Sequence, residues 1–178
     1  ETDALTLFID VQQNVLFFVM AAWEDDFTGY VIDYGTYPDQ QRQYFTLRDA
    51  QRTLAQVTKT AGLEGSIYAG LEKLTGDYLA REWPRDDGAM LRIERCLIDA
   101  NWGTSTDLVY QFCRQSPHAA LLMPSHGRYV GASSNPFSRK LGVLMSKLLV
   151  LFRDKVPMYL TSTVSLLPML RVTDIVIL

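Results

Sequence analysis

Three short apolar runs open the chain: Leu5 to Val11, Val15 to Trp23 and Tyr30 to Tyr34. Each is rich in β-branched or aromatic residues, and polar punctuation separates them, Gln12-Gln13-Asn14 first and Glu24 to Gly29 second. Runs and turns of that length predict a meander of three antiparallel strands. From Thr46 the period changes. Leu47, Ala50, Leu54 and Val57 recur at helical spacing, as do Ile67, Leu71, Leu74, Tyr78 and Leu79, which predicts two helices parted by Gly62 to Gly65. Pro84 to Gly88 reads as a turn, and Leu91 to Ile98 as a strand that ends on Asp99. Asn101 to Asp107 then opens a helix, with Thr104 or Ser105 as its N-cap and Leu108, Val109 and Phe112 on its apolar face. Ala119 to Met123 reads as a strand closed by Pro124, and Ser125 to Pro136 as a Gly/Ser-rich loop. Further on, Leu141 to Phe152 fits helix or strand, Pro157 to Leu160 a short strand, and Val172 to Leu178 an apolar end carrying Asp174. A meander, a helical crossover and further strands make an α/β fold: a central mixed sheet flanked by helices.

The chain has 178 residues, 48% of them hydrophobic and 21% charged, enough for one well-buried domain and short for two. A single domain over 1–178 is expected. The most apolar segment, Leu141 to Phe152, is interrupted by Lys147 and falls short of the roughly 20 residues of a membrane span, so no membrane role is expected. Cys96 and Cys113 lie in apolar runs without a second Cys or His at metal spacing. They read as buried, reduced thiols in a reducing compartment. The net charge of −3 is unevenly spread. Glu1, Asp3, Asp10, Glu24, Asp25, Asp26, Asp33 and Asp39 precede the first cation, Arg42, whereas Arg128, Arg139, Lys140, Lys147, Arg153 and Lys155 face only Asp154. One end suits cations and the other phosphates, or both are ordinary solvated surfaces.

The candidate chemistry sits at strand ends. The apolar run Leu7-Phe8-Ile9 stops on Asp10, and Cys96-Leu97-Ile98 stops on Asp99. A charged side chain at the end of a buried strand is costly to desolvate unless a partner takes the charge. Two such carboxylates on neighbouring strands form a hard-ligand site suited to Mg²⁺ or Mn²⁺, and paired ions activate water against a phosphodiester. Taken singly, each Asp is more often a turn or capping residue; two after similar apolar runs even the balance.

The strings FIDVQQNVLFFVMAAWEDDFTGYVIDYG, CLIDANWGTSTDLVYQFCRQS and MPSHGRYVGASS, in that order, resemble the nuclease domain of tailed-phage DNA-packaging terminase large subunits of the lambda-like lineage. The resemblance runs from Leu5 to Ser134. It implies an RNase H-like fold and a metal-dependent endonuclease that cuts concatemeric double-stranded DNA with Mg²⁺ or Mn²⁺, two ions in all. Asp10 and Asp99 match the first and second catalytic carboxylates; Asp174 is the candidate third, with Asp154 the alternative. Ser125, His126, Gly127 and Arg128 fall in the loop that the resemblance places near DNA, and Arg139 and Lys140 add cations beyond it. The implied partners are the terminase ATPase domain, the small terminase subunit and the portal, and the implied location is the host cytoplasm of a bacterial cell. No GxxxxGK[ST] phosphate loop occurs, so the ATPase is expected to be absent and the chain to be an excised nuclease domain.

The remaining polar residues read more plainly. Asp33, within Val31-Ile32-Asp33-Tyr34-Gly35, reads as a solvated strand residue ahead of a member of the metal pocket. Asp107 suits the positive end of a helix, His118 is structural, and Trp102 packs beside the second carboxylate or stacks on a base. Two other functions fit the same residues: a resolvase- or integrase-like nuclease, and a domain that has lost catalysis and docks on DNA or a partner.

Overall fold

A computed structural model describes residues 2–126 except 27, 43, 102, 104 and 105. Asp154, Asp174, Gly127, Arg128, Arg139 and Lys140 lie outside the described residues, as do the elements expected beyond them and the N-cap at Thr104 or Ser105. The stretch Glu1–Ser125 forms one compact unit, and the expected single domain over 1–178 extends past the described residues.

The three opening runs form β1 (Thr2–Val11), β2 (Leu16–Glu24) and β3 (Gly29–Tyr37), an antiparallel meander as the pattern predicts, with longer strands. Then come α1 (Leu54–Thr58), α2 (Leu63–Leu79), β4 (Trp83–Pro84), β5 (Met90–Leu91), β6 (Ile93–Asp99), α3 (Thr106–Gln115) and β7 (Leu122–Ser125). The main sheet runs β3-β2-β1-β6-β7, antiparallel on one side of β1 and parallel on the other. It is a five-stranded mixed sheet with helices packed on it. β4 and β5 form a separate small hairpin.

One face of the sheet makes the core. Leu5, Leu7, Ile9 and Val11 of β1, Leu16 and Met20 of β2, Cys96 and Ile98 of β6 and Leu122 of β7 are buried in one cluster with Leu54, Ile67, Leu71, Leu74, Val109 and Phe112 of the helices. Burying a side chain of this size is worth about 1.5–3 kcal/mol, which makes the cluster the chief source of stability. Close helix packing depends on Gly70, where an added Cβ would stand 2.5 Å from Leu54 Cδ2. On the opposite face Phe8, Val19, Leu97 and Met123 are half-buried and stand outside that cluster, while Phe17 stacks on Phe45 at 5.8 Å between centroids.

Three expectations need correction. Leu47 to Val57 is not one helix: Leu47–Asp49 is a single 3-10 turn and α1 starts only at Leu54. The buried Gln40 side chain interrupts, its Oε1 accepting from the backbone N–H of Gln51 and Arg52 and its Nε2 donating to the Arg52 carbonyl. Those bonds, each worth about 1 kcal/mol, satisfy the backbone outside a helix, and a Thr53/Gln56 capping box then starts α1. Second, the run Leu91 to Ile98 is broken at Arg92, where the β4–β5 hairpin hands over to β6. Third, Pro124 does not close a strand but lies inside β7, opposite Ile98. Among the described residues β7 is an edge strand, where a missing N–H is tolerated. Residues 117–121 are turn, not strand.

Candidate active site

Antiparallel partners share a face of the sheet, and so do parallel partners in register. On β1 and β6 the pairs Leu7 with Cys96, Phe8 with Leu97 and Ile9 with Ile98 lead directly to Asp10 and Asp99, one position further along each strand. The two carboxylates therefore stand side by side at the carboxyl ends of adjacent parallel strands, about 4.8 Å apart in backbone spacing. Register continues the row in both directions. Phe17 lies opposite Asp10, Thr36 opposite Phe17, and Ser125 opposite Asp99. A line Thr36, Phe17, Asp10, Asp99, Ser125 thus crosses the whole sheet on the face away from the core, with the acids at its centre. Both Asp10 and Asp99 are half-buried.

Hydrogen bonds fix this row. Gln12 Nε2 donates to Asp10 Oδ2 at 2.9 Å, and the Gln12 N–H donates to the Val15 carbonyl across the hairpin turn. The Asn101 N–H donates to Asp99 Oδ1 at 3.1 Å. The Ala100 N–H reaches the Ser125 carbonyl at 2.8 Å, and Thr106 Oγ1 donates to the Ala100 carbonyl at 2.7 Å, tying the start of α3 to the end of β6. Gln12 and the strand position of Ser125 are contributions that reasoning from motifs missed. The Gln two residues after Asp10 was visible, but its use as a donor depends on the hairpin turn.

The other candidates are placed as follows. Ser125, expected in a loop, ends β7 beside Asp99. His126 follows it and is half-buried. Asp33 is neither solvated nor near the pair: it lies on the core-side face opposite Met20, half-buried, and accepts a hydrogen bond from the Tyr78 hydroxyl at 2.7 Å. Burial and the Asp33 carboxylate push the Tyr78 hydroxyl well above its usual pKa of 10. Asp107 is exposed in the first turn of α3, as its charge suits. The His118 N–H donates to Ser116 Oγ. Cys96 and Cys113 are free and buried, and burial pushes the Cys113 thiol up to about 11 and that of Cys96 higher still, so neither is a thiolate near neutral pH.

Among the described residues no group of three or more His, Cys, Asp and Glu is arranged to hold a metal ion. The row does hold oxygen donors of the hard type that Mg²⁺ and Mn²⁺ prefer: two carboxylates, the Ser125 hydroxyl and, beside Asp10, the Gln12 amide. The residues present fit such an ion as part of its coordination shell. No helix among the described residues is long and apolar enough to cross a membrane.

Compared with known proteins, the chain matches the family described as terminase large subunit gpA, endonuclease domain, over residues 1–140. No curated protein and no solved structure matches it.

Proposed function

The chain belongs to the terminase large subunit gpA endonuclease-domain family, whose role is that of a nuclease in phage DNA packaging, and on that premise we propose a metal-dependent endodeoxyribonuclease centred on Asp10 and Asp99. The substrate is concatemeric double-stranded DNA, and the fold is of the RNase H-like kind. The observation that carries the reading is the register of β1 and β6, which ends on two aligned acids. Mg²⁺ or Mn²⁺ held there, two ions in the full site, would supply Lewis-acid stabilisation of the charge that builds on the scissile phosphate.

The chain's own residues do the rest. Asp10 and Asp99 hold the cation charge and Asp174, or else Asp154, completes the acid set. Gln12 fixes the orientation of the Asp10 carboxylate, so little freedom remains to be lost on ligation. Ser125, His126, Gly127, Arg128, Arg139 and Lys140 take the DNA backbone. Gly127 lets main-chain N–H groups approach phosphates, and the cations offset the repulsion of an acidic chain. In the assembly the domain works beside the terminase ATPase domain, the small subunit and the portal, in the cytoplasm of the bacterial host.

Incubating the purified chain with supercoiled plasmid in the presence of Mn²⁺, Mg²⁺ or a chelator tests the reading. Nicked and linear products with metal, none with chelator and none from Asp10→Asn support it; cleavage by Asp10→Asn at the wild-type rate removes it. A second reading, a docking domain without catalysis, draws on the local hydrogen bonds that already engage both acids, from Gln12 to Asp10 and from the Asn101 N–H to Asp99. DNA retained on a filter without cleavage under any metal would favour that reading.

A further inference from the structure

The loop between β3 and α1 reaches the face of the sheet that carries the acids. Asp10 stands opposite Phe17, and the Phe45 ring stacks on Phe17 at 5.8 Å between centroids, 8° from parallel. The base of the loop is pinned twice more. Gln40 Oε1 accepts from the N–H groups of Gln51 and Arg52, which closes the loop 41–50 on itself. The Leu54 N–H donates to the Asn14 carbonyl at 2.8 Å, in the hairpin turn just after Asp10 and Gln12. Antiparallel partners stand about 4.5–5.5 Å apart, so the Phe45 ring lies roughly 10 Å from Asp10, about three nucleotides along a strand with a phosphate every ~3.4 Å. In the row across the sheet the acids thus have Ser125 on one side and this loop on the other.

The loop presents to solvent what the neighbouring strands do not. Tyr44, next to the anchored Phe45, is 75% exposed, the most of any large hydrophobic side chain among the described residues. Arg42 and Arg48 lie on either side of it in sequence and are exposed. They end a long stretch without cations: eight acids and no Lys or Arg precede Arg42, whereas Gln40 to Leu54 carries Arg42, Arg48 and Arg52 against Asp49 alone. Asp49 is engaged inside the loop, accepting from Thr46 Oγ1 at 2.7 Å, and Arg52 at the base donates to the Asp39 carbonyl. Arginines about an exposed aromatic ring are the means by which proteins hold a nucleic-acid strand: the cations meet phosphates and the ring stacks on a base. Position selects DNA over a protein partner, because whatever covers Tyr44 shares the face on which the acids must meet a phosphodiester.

We propose that the loop 41–50 holds one DNA strand beside the acids, with Arg42 and Arg48 on its phosphates and Tyr44 stacked on a base left unpaired within about three nucleotides of the cut. This rests on the nuclease reading for the role of the acids and adds how the strand is held on the Asp10 side. Fluorescence anisotropy of the whole chain with a labelled DNA single strand, and with the same strand in duplex, tests it. The measurement is made in chelator and needs no chemistry, so a lack of cleavage would remove the nuclease reading without bearing on this result. Tyr44→Ala is expected to weaken single-strand binding about fivefold or more, and Tyr44→Phe to keep it. The duplex should lose less, since its bases already stack on one another. Arg42→Ala with Arg48→Ala should lower the log–log salt slope on the single strand by about 1.4, or ~0.7 for each phosphate contact. Lys73→Ala with Arg92→Ala removes two exposed cations elsewhere and should leave that slope unaltered. Wild-type single-strand affinity in Tyr44→Ala, an equal fall in slope for the two double variants, or no DNA binding by the wild-type chain would each overturn the proposal.

Discussion

The dipeptide Ile-Asp occurs at 9–10, 32–33 and 98–99, each time behind an apolar residue on a strand. Two copies share a site and one does not. Asp10 and Asp99 end the parallel seam at the centre of the sheet, on the face away from the core. Asp33 is in the middle of an edge strand and faces the other way, toward α2. The cause is the unpaired Ile32. Continuing the register of Gly29 with Trp23 and Val31 with Ala21 would set Asp33 opposite Val19, on the face of Asp10. The bulge sets it opposite Met20 instead. Because strand side chains alternate, one extra residue is enough to turn a would-be site residue into a structural one.

The largest contrast should appear in catalysis. Asp10→Asn and Asp99→Asn are each expected to lower plasmid cleavage in Mn²⁺ by a thousandfold or more, because each removes a charged ligand, whereas Asp33→Asn should stay within about twofold. Loss of activity in Asp33→Asn, in a protein that melts normally, would break the distinction between the faces. A smaller effect is expected next to the seam: Gln12→Ala should cut activity by about tenfold and raise the Mn²⁺ concentration for half-maximal rate, while Gln12→Glu, which sets a second carboxylate against Asp10, should not rescue it. An unchanged metal requirement would mean that Gln12 is only part of the turn.

On the other face the expected effects concern stability. Tyr78→Phe removes the donor to Asp33 and should cost about 1–3 kcal/mol in urea unfolding, with cleavage unaltered. The pH dependence has a definite sign. The folded-state pKa of Tyr78 is raised above its unfolded value near 10, so the stabilisation is complete below pH 10 and is lost as pH rises from there toward the folded pKa. Tyr78→Phe should flatten that loss relative to wild type. Smallest of all is the deletion of Ile32. It removes the bulge while keeping Val31 opposite Ala21 and Asp33 opposite Met20, so stability should shift by about 1 kcal/mol or less and the flatter edge should self-associate more readily in sedimentation.

These contrasts also mark what was legible in the sequence. The meander, the α2 helix and the two strand-terminal acids follow from local periodicity, and the family resemblance, stated on ordered motifs, is borne out by the match over residues 1–140. What escaped depended on long-range partners. The break between Leu47 and Val57 comes from a buried Gln40 more than ten residues away. The strand ending at Ser125 needs β6 as its neighbour, and Pro124 is tolerated there because β7 is an edge among the described residues. Asp33 looked like its two counterparts, since no local signal marks a bulge that exists only relative to β2.

Metal binding tests the central claim most directly, because it does not depend on DNA or on turnover. Calorimetric titration of the whole chain with Mn²⁺ should give saturable binding for wild type and Asp33→Asn, and none at the same concentrations for Asp10→Asn combined with Asp99→Asn. Wild-type binding by that double variant, with loss of binding in Asp33→Asn, would contradict the assignment of the site to the end of the β1–β6 seam.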